Sequence, residues 1–225
     1  MKPIITIDGT SGVGKGTLSA SISAHYNYAS LDTGSFFRAV TLYLIENCDI
    51  NAIQPTEIVE IANKLLNSGH IFSYAKNPNI RTPGVSNASN IVYTNNDVRY
   101  IIDQYILNFC KNPLIGGNIP AKGTVVDGRT AGTAMFPNAN AKIYMISDPK
   151  IKAQRRYKEY ISYGLEVNYN DILNEIIRRD EIDSERAKTN KELQIAKDAF
   201  VLDTTSMDKQ KVFLVAKNYI DGKLR

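Results

Sequence analysis

Nine residues near the N-terminus carry the clearest chemistry in this chain: Gly9-Thr10-Ser11-Gly12-Val13-Gly14-Lys15-Gly16-Thr17. They contain the spacing G-x-x-x-x-G-K. Glycines at these intervals let successive N–H groups curl around phosphate oxygens, at backbone angles that other residues resist. A helix starting at the end of such a loop aims its positive pole at the same anion. Lys15 adds a full positive charge where β- and γ-phosphates would lie. The segment therefore reads as an ATP-binding loop. The residue after Lys15 is Gly16, and the hydroxyl follows one position later, at Thr17.

Further along stand arginines whose forked guanidiniums suit phosphate oxygens: Arg38, Arg129 and Arg186. Taken singly, each is more often a surface ion pair. Arg129 has the stronger case, because it follows the apolar run Thr124-Val125-Val126-Asp127 directly. In open α/β sheets, ligands bind beyond the carboxyl ends of strands. Arg179, Asp183 and Arg186 are spaced i, i+4, i+7 and so share one helix face, with Arg178 off it. Asp127 is a weak candidate to hold a magnesium-bound water, and no residue stands out as a general base. His25 and His70 have no partner at metal-ligand spacing and read as ordinary surface residues. Cys48 and Cys110 fall in apolar helical patterns and are expected to be buried, reduced thiols.

The elements that must position these groups follow from hydrophobic patterning. Ile4-Ile5-Thr6-Ile7 is a β-branched run and predicts a buried parallel strand. Helix is predicted from about 16 to 26, and a second strand around 28–31. Ile58, Ile61, Ala62 and Leu65 keep helical spacing, with Gly69 as a stop. Val98, Ile101, Ile102, Tyr105 and Phe109 repeat that spacing. Between them, 74–97 is rich in Asn, Ser, Thr and Pro and is expected to lie outside any core. Strands are predicted at 124–127, 142–146 and 200–203. Charged helices are predicted at 149–162 and 170–187, on either side of a loop with Gly164, and a closing helix runs through Val212 to Tyr219. Alternating strands and helices imply a parallel sheet covered on both faces. The expected fold is therefore α/β: a parallel sheet flanked by helices, with a small insert that includes 74–97.

Composition sets broad limits. The chain has 225 residues, with 27 Lys and Arg against 23 Asp and Glu, a net charge of +4. That mild excess suits anionic ligands but provides no basic stripe for nucleic acid. No stretch approaches the roughly 18 apolar residues of a membrane span. The N-terminal apolar run is too short for a signal peptide. A cytoplasmic protein, without nucleic-acid or membrane partners, is the expectation.

Several motifs together resemble one family. The G-K-G-T ending of the loop is similar to that of nucleoside monophosphate kinases. Asp32-Thr33-Gly34-Ser35-Phe36-Phe37-Arg38 resembles the D-S/T-G-x-x-Y/F-R segment of bacterial cytidylate kinases. Val126-Asp127-Gly128-Arg129-Thr130-Ala131-Gly132-Thr133 resembles their D-G-R-D-x-G-T, with Thr130 in place of an aspartate. Arg179-Asp180-Glu181-Ile182-Asp183-Ser184-Glu185-Arg186 resembles their R-D-x-x-D-x-x-R, and Ala199 to Thr205 their closing strand. The motifs come in the family's order, from Ile4 to about Tyr219. A shorter insert precedes Val85 to Asn90 than the family usually carries.

The resemblance implies a P-loop kinase that moves the terminal phosphate of ATP, with Mg²⁺, onto CMP or dCMP. It implies that Arg38 and Arg129 bind the acceptor phosphate. Arg179 and Asp183 would meet its ribose, as would Asn90, with Ser89 beside it. Arg186 would reach base or phosphates and Arg99 the cytosine. Thr33 and Thr130 would lie along the base edge. Lys15, Arg129, Arg155 and Arg156 would share the charge of the transferring group. The implied organisation is core at 1–45, 112–150 and 188–225, an acceptor-binding insert at 46–111, and a lid with its helical arms at 151–187. A monomer is expected. The alternative is another small-molecule P-loop kinase, acting on UMP, AMP or an alcohol such as shikimate, though a shikimate kinase would lack so large an insert. A P-loop protein that binds nucleic acid is disfavoured by the missing basic stripe.

Overall fold

The computed structural model describes residues 2–224, the side chain of Glu192 apart. Two compact units emerge: one from the chain up to Leu31 together with the chain from Pro113 onward, the other Asp32–Asn112.

The first unit is a five-stranded sheet with flanking helices. Its strands are β1 (Ile4–Gly9), β2 (Ala29–Asp32), β5 (Thr124–Gly128), β6 (Ala141–Ile146) and β7 (Phe200–Asp203), in the order β2-β5-β1-β6-β7. β1 is central and buried along its whole length, with Ile4, Ile5 and Ile7 supplying its apolar surface and Thr6 and Asp8 buried among them. It pairs in parallel with β5, Ile5 beside Val125, and with β6, Ile7 beside Ile143. β6 pairs in parallel with β7, Met145 beside Leu202. Helices α1 (Lys15–Tyr26) and α10 (Lys209–Leu224) close one core, in which Leu18, Ile22, Ala216 and Ile220 meet Ile5, Ile143 and Met145. Fully burying a side chain such as Ile5 or Ile7 is worth about 1.5–3 kcal/mol. Helices α8 (Pro149–Ser162) and α9 (Tyr169–Thr189) pack on each other through Ala153, Tyr160, Ile172 and Ile176. Two short strands, β3 (Leu114–Ile115) and β4 (Ile119–Pro120), form a hairpin that the patterning did not predict. Its turn uses Gly116 and Gly117 at positive φ, 62° and 88°.

The second unit is helical: α2 (Thr33–Asn47), α3 (Pro55–Asn67), α4 (Ile71–Lys76), α5 (Pro83–Ala88), α6 (Asn90–Tyr93) and α7 (Asn96–Lys111). Asp32 caps α2 by accepting from the Ser35 N–H at 3.1 Å. Asn95 caps α7 through the Asp97 and Val98 N–H groups, and its amide donates to Pro55 O at 3.0 Å, tying α7 to the start of α3. The segment 74–97 lies within this helical unit. Its short helices bury Ile80, Val85 and Val92, and Ile80 and Val85 pack with Leu42 of α2. Single apolar residues spaced among polar ones were enough to fold it. Cys110 is buried as expected, but Cys48 is only half-buried, because α2 ends at Asn47 and leaves it as an extended cap.

Among the described residues no helix is long and apolar enough to cross a membrane.

Candidate active site

The loop between β1 and α1 has the backbone its glycines permit. Gly9, Gly12 and Gly14 hold φ of 148°, 81° and 100°. A side chain at Gly9 would also collide with the Met145 carbonyl, so both conformation and space demand glycine there. Gly14 is the N-cap of α1 and no side chain caps the helix, which leaves the first-turn N–H groups for an anion. Lys15 Nζ donates to Gly9 O at 2.9 Å and to Thr10 O at 3.0 Å, so the ammonium is held at the mouth of the loop. Gly16 and Thr17 are exposed on the first turn.

Helix α8 presents three cations to this loop from positions i, i+3 and i+4. Lys152 Nζ bonds Thr10 Oγ1 at 3.1 Å and pairs with the Asp180 carboxylate of α9. Arg155 donates to Val13 O at 3.3 Å, to Thr204 Oγ1 at 3.1 Å and to Thr204 O at 2.8 Å. Burial lowers the Arg155 pKa, though an arginine stays charged at any physiological pH. Arg156 donates to Ser11 Oγ at 3.1 Å. The two α8 arginines therefore differ: Arg155 clamps main-chain carbonyls, whereas Arg156 touches the loop only through a hydroxyl.

Beyond β5, the chain makes one wide π-helical turn, Ala131–Met135, closed by the Phe136 N–H donating to Ala131 O at 2.8 Å. Asp8, at the end of β1, fixes its start by accepting from the Ala131 N–H at 2.9 Å and the Gly132 N–H at 2.7 Å. Asp8 is 7% exposed, and burial pushes its carboxyl up against the opposing pull of those two bonds, Lys15 and Lys142. A Cβ on Gly132 would come within 2.7 Å of Thr6 Oγ1. The half-buried Thr130 and the Arg129 before it are thus set by a buried tether. Arg129 pairs with Asp183 of α9, both side chains partly exposed. A pair so exposed contributes about 0–1 kcal/mol, so its exchange for a phosphate partner costs little stability. Arg179 pairs with Glu175 one turn earlier on α9, and Arg186 is exposed. Gly9, Thr10, Arg129, Tyr144, Asp180, Asp183, Ser184, Ala187, Leu193, Gln194 and Ile195 line a cavity of about 320 Å³. Burial raises the pKa of Tyr144 within it.

The second unit carries Thr33, Arg38, Asn90 and Arg99. Arg38 Nη2 bonds the Asp32 carboxylate at 3.2 Å, and Arg38 Nε is buried with no hydrogen-bond partner among the described residues. An unmet charged donor of this kind is costly unless a ligand satisfies it. Tyr93 stacks on Phe37 with ring centroids 4.5 Å apart, and its hydroxyl donates to Gly34 O at 3.4 Å. A Cβ on Gly34 would lie 3.3 Å from that hydroxyl and 3.5 Å from Arg38 Nη2. Thr33 is half-buried, while Asn90 and Arg99 are exposed on α6 and α7.

Residue patterning alone passed over Asp8, Lys152, Asp180, Thr204 and Tyr93. Asp8 reads as the polar end of a strand, and Lys152 as one charge among many on a charged helix. For Asp8 a signal exists: a carboxylate closing a buried β-branched run needs donors, and the loop amides after β5 are the nearest supply.

A glycine-rich loop between the central strand and its following helix, beyond the carboxyl ends of a parallel sheet and ringed by cations, defines the P-loop kinase fold. The family model described as cytidylate kinase matches residues 5–221. A cytidylate kinase of Bartonella tribocorum is 33% identical over 98% of this chain and 96% of its own. One from Clostridium perfringens is 33% identical over 96% of this chain and 97% of its own. This chain belongs to the cytidylate kinase family. A solved structure of an uncharacterized protein from Eubacterium ventriosum covers 99% of each chain at a TM-score of 0.50 and 16% identity, a likeness of fold alone.

Proposed function

We propose that this protein transfers the γ-phosphoryl group of ATP to CMP or dCMP, giving CDP or dCDP. The observation that carries this is the family match across residues 5–221, on a chain whose loop glycines and Lys15 have phosphate-binding geometry. The loop N–H groups and the start of α1 hold the ATP phosphates, and Lys15 exchanges its carbonyl partners for phosphate oxygens. Arg129 and Arg156 neutralise charge on the moving group, because phosphoryl transfer needs positioning and charge compensation more than covalent chemistry. Arg155, tied to Val13 O and Thr204, holds the loop. Arg38, with its unmet Nε, takes the acceptor phosphate in the second unit.

The reading assigns Arg179, Asp183 and Asn90 to the ribose, Arg99, Thr33 and Thr130 to the base, and Arg186 to base or phosphates. The division into an insert at 46–111 and a lid centred on 157–168 belongs to the same proposal, as do a monomeric state and a cytoplasmic location.

Among the described residues, no group of three or more His, Cys, Asp or Glu is placed to hold a metal. A magnesium ion bound with the nucleotide would be held chiefly by the phosphates, and the exposed Thr17 hydroxyl and, through a water, Asp127 are the residues that would hold it. It would add positive charge on the phosphate oxygens.

The test is release of ADP over a panel of nucleoside monophosphates. Turnover on CMP and dCMP well above UMP and AMP is expected. Lys15→Ala abolishes it while the fold is retained. A preference for AMP or for a non-nucleotide alcohol, or near-normal turnover by Lys15→Ala at saturating ATP, refutes the reading.

A further inference from the structure

We infer that Lys152 is a positioning residue of the transfer reaction, holding the phosphate loop in register with helix α9. The inference rests on the proposed kinase activity.

Lys152 is 2% exposed, unusual for a lysine, and its ammonium has two polar partners. One is the hydroxyl of Thr10, in the loop, at 3.1 Å. The other is the carboxylate of Asp180, on α9. Its stem packs beneath the loop as well. A Cβ on Gly12 would lie 3.3 Å from the Lys152 Cβ and 3.8 Å from its Cγ.

Both partners lead to groups with proposed roles in the reaction. Thr10 is engaged twice: Lys152 holds its hydroxyl, and Lys15 donates to its carbonyl at 3.0 Å. A shift of Thr10 therefore moves the acceptor that aims Lys15. Asp180 lies between Arg179 and Asp183 in sequence, and Asp183 pairs with Arg129. A shift of Asp180 along α9 would carry that pair with it. Lys152 touches neither Lys15 nor Arg129 in these contacts and acts through others. A purely packing role is poorly served by a buried ion pair, since apolar residues of similar volume fill such a space at no desolvation cost. What a charged link adds is a fixed geometry between two elements.

The experiment uses the full chain with ATP and CMP, reading kcat, KM for ATP and Tm. The variants are Lys152→Met, Lys152→Arg, and Lys152→Met combined with Asp180→Asn. Lys152→Met keeps the stem and removes the charge. It is expected to lower kcat by about 10²-fold, the scale of a small misplacement of reacting groups, with KM for ATP little changed. Lys152→Arg, which keeps charge and donors, recovers part of kcat. The double variant leaves no uncompensated charge, so it regains Tm but not kcat. That separation of stability from turnover is what a positioning role predicts and a structural role does not. Wild-type kcat in Lys152→Met or in the double variant overturns the inference. If Lys152→Met does not fold, the double variant decides. If that also fails to fold, the pair is a requirement of the fold and the inference falls. Wild-type protein inactive on CMP would instead overturn the functional reading beneath it.

Discussion

Gly132 donates its N–H to Asp8 at 2.7 Å, and Ala131 donates to the other oxygen of the same carboxylate at 2.9 Å. One buried side chain on the central strand thereby fixes the turn that follows Arg129 and Thr130. The carboxyl group offers one acceptor oxygen to each of the two donors, which an amide cannot do. In Asp8→Asn an amide N–H₂ faces one of those N–H groups. The expected result is a loss of kcat/KM for CMP with ATP affinity largely kept. Unchanged kcat/KM would separate the tether from the reaction.

The same carboxylate has a pH consequence. Burial raises its folded-state pKa above the usual 3.8. The folded protein then binds this proton more readily than the unfolded chain does, and the ionised form costs stability at neutral pH. That cost falls away as pH drops through the folded value toward 3.8. Asp8→Asn lacks the titration. The Tm of wild type minus that of Asp8→Asn should therefore rise as pH falls across that interval. A difference that shrinks on acidification would mean the carboxyl is depressed, not raised.

The two arginines of α8 should separate by what they touch. Arg155 makes three hydrogen bonds to Val13 and Thr204, two of them to main-chain oxygens, while Arg156 bonds one hydroxyl. Hydrogen bonds to charged groups are worth about 1.5–3 kcal/mol. In a domain of this size each kcal/mol moves Tm by about 2–4 °C. Arg155→Ala should lower Tm by several degrees. Arg156→Ala should leave Tm near wild type and lower kcat by about 10³-fold, as other charge-stabilising arginines do. The reverse pattern would exchange their roles. Thermal melts and steady-state rates on the two proteins settle it.

These contrasts mark where the sequence is readable. Gly9, Gly12, Gly14 and Lys15 announce the loop because only glycine satisfies its dihedral angles, and β1, β5 and β6 announce themselves through the short apolar runs Ile4–Ile7, Thr124–Val126 and Ile143–Ile146. The short helices at 71–93 do not, since Ile80 and Val85 are lone apolar residues in polar surroundings and the Ile91-Val92-Tyr93 run is too short to show a period, so their burial comes from tertiary packing. Helix α2 is hidden for another reason: its start is set by the Asp32 cap inside a segment that otherwise reads as a binding motif. Lys152 looks like a solvated charge, because a helix with cations on both faces gives no periodic sign of which ones turn inward. Only the packing of α8 against the loop and α9 identifies it.

Asp183 pairs with Arg129, yet a carboxylate is also the natural acceptor for a ribose hydroxyl. If it meets the 2′-hydroxyl, Asp183→Ala weakens CMP more than dCMP, which lacks that group. If it serves only to orient Arg129, both substrates lose equally. The measurement is kcat/KM for each nucleotide in wild type and variant, and unequal losses are expected.

Thr130 stands where the resembled cytidylate kinases carry an aspartate. It is half-buried on the turn that Asp8 fixes, and its carbonyl accepts from the Ala134 N–H at 2.9 Å, so its backbone position is well defined. A carboxylate there accepts from the exocyclic amine of cytosine and repels the carbonyl that uracil presents at the same place. A threonine hydroxyl accepts from the amine but also turns and donates to the carbonyl. Hydrogen bonds to charged groups are worth about 1.5–3 kcal/mol and neutral ones about 0.5–1.5. The difference, about 1 kcal/mol or more, corresponds to roughly a fivefold or greater gain in discrimination. This protein should therefore prefer CMP but tolerate UMP. Thr130→Asp should raise the ratio of kcat/KM for CMP over UMP by about that factor. Because Thr130 is a turn residue and not part of the sheet core, the substitution should leave Tm nearly unchanged, so a shift in the ratio reports on base recognition and not on folding. No gain in the ratio would mean that position 130 does not read the base, and that the cytosine lies elsewhere.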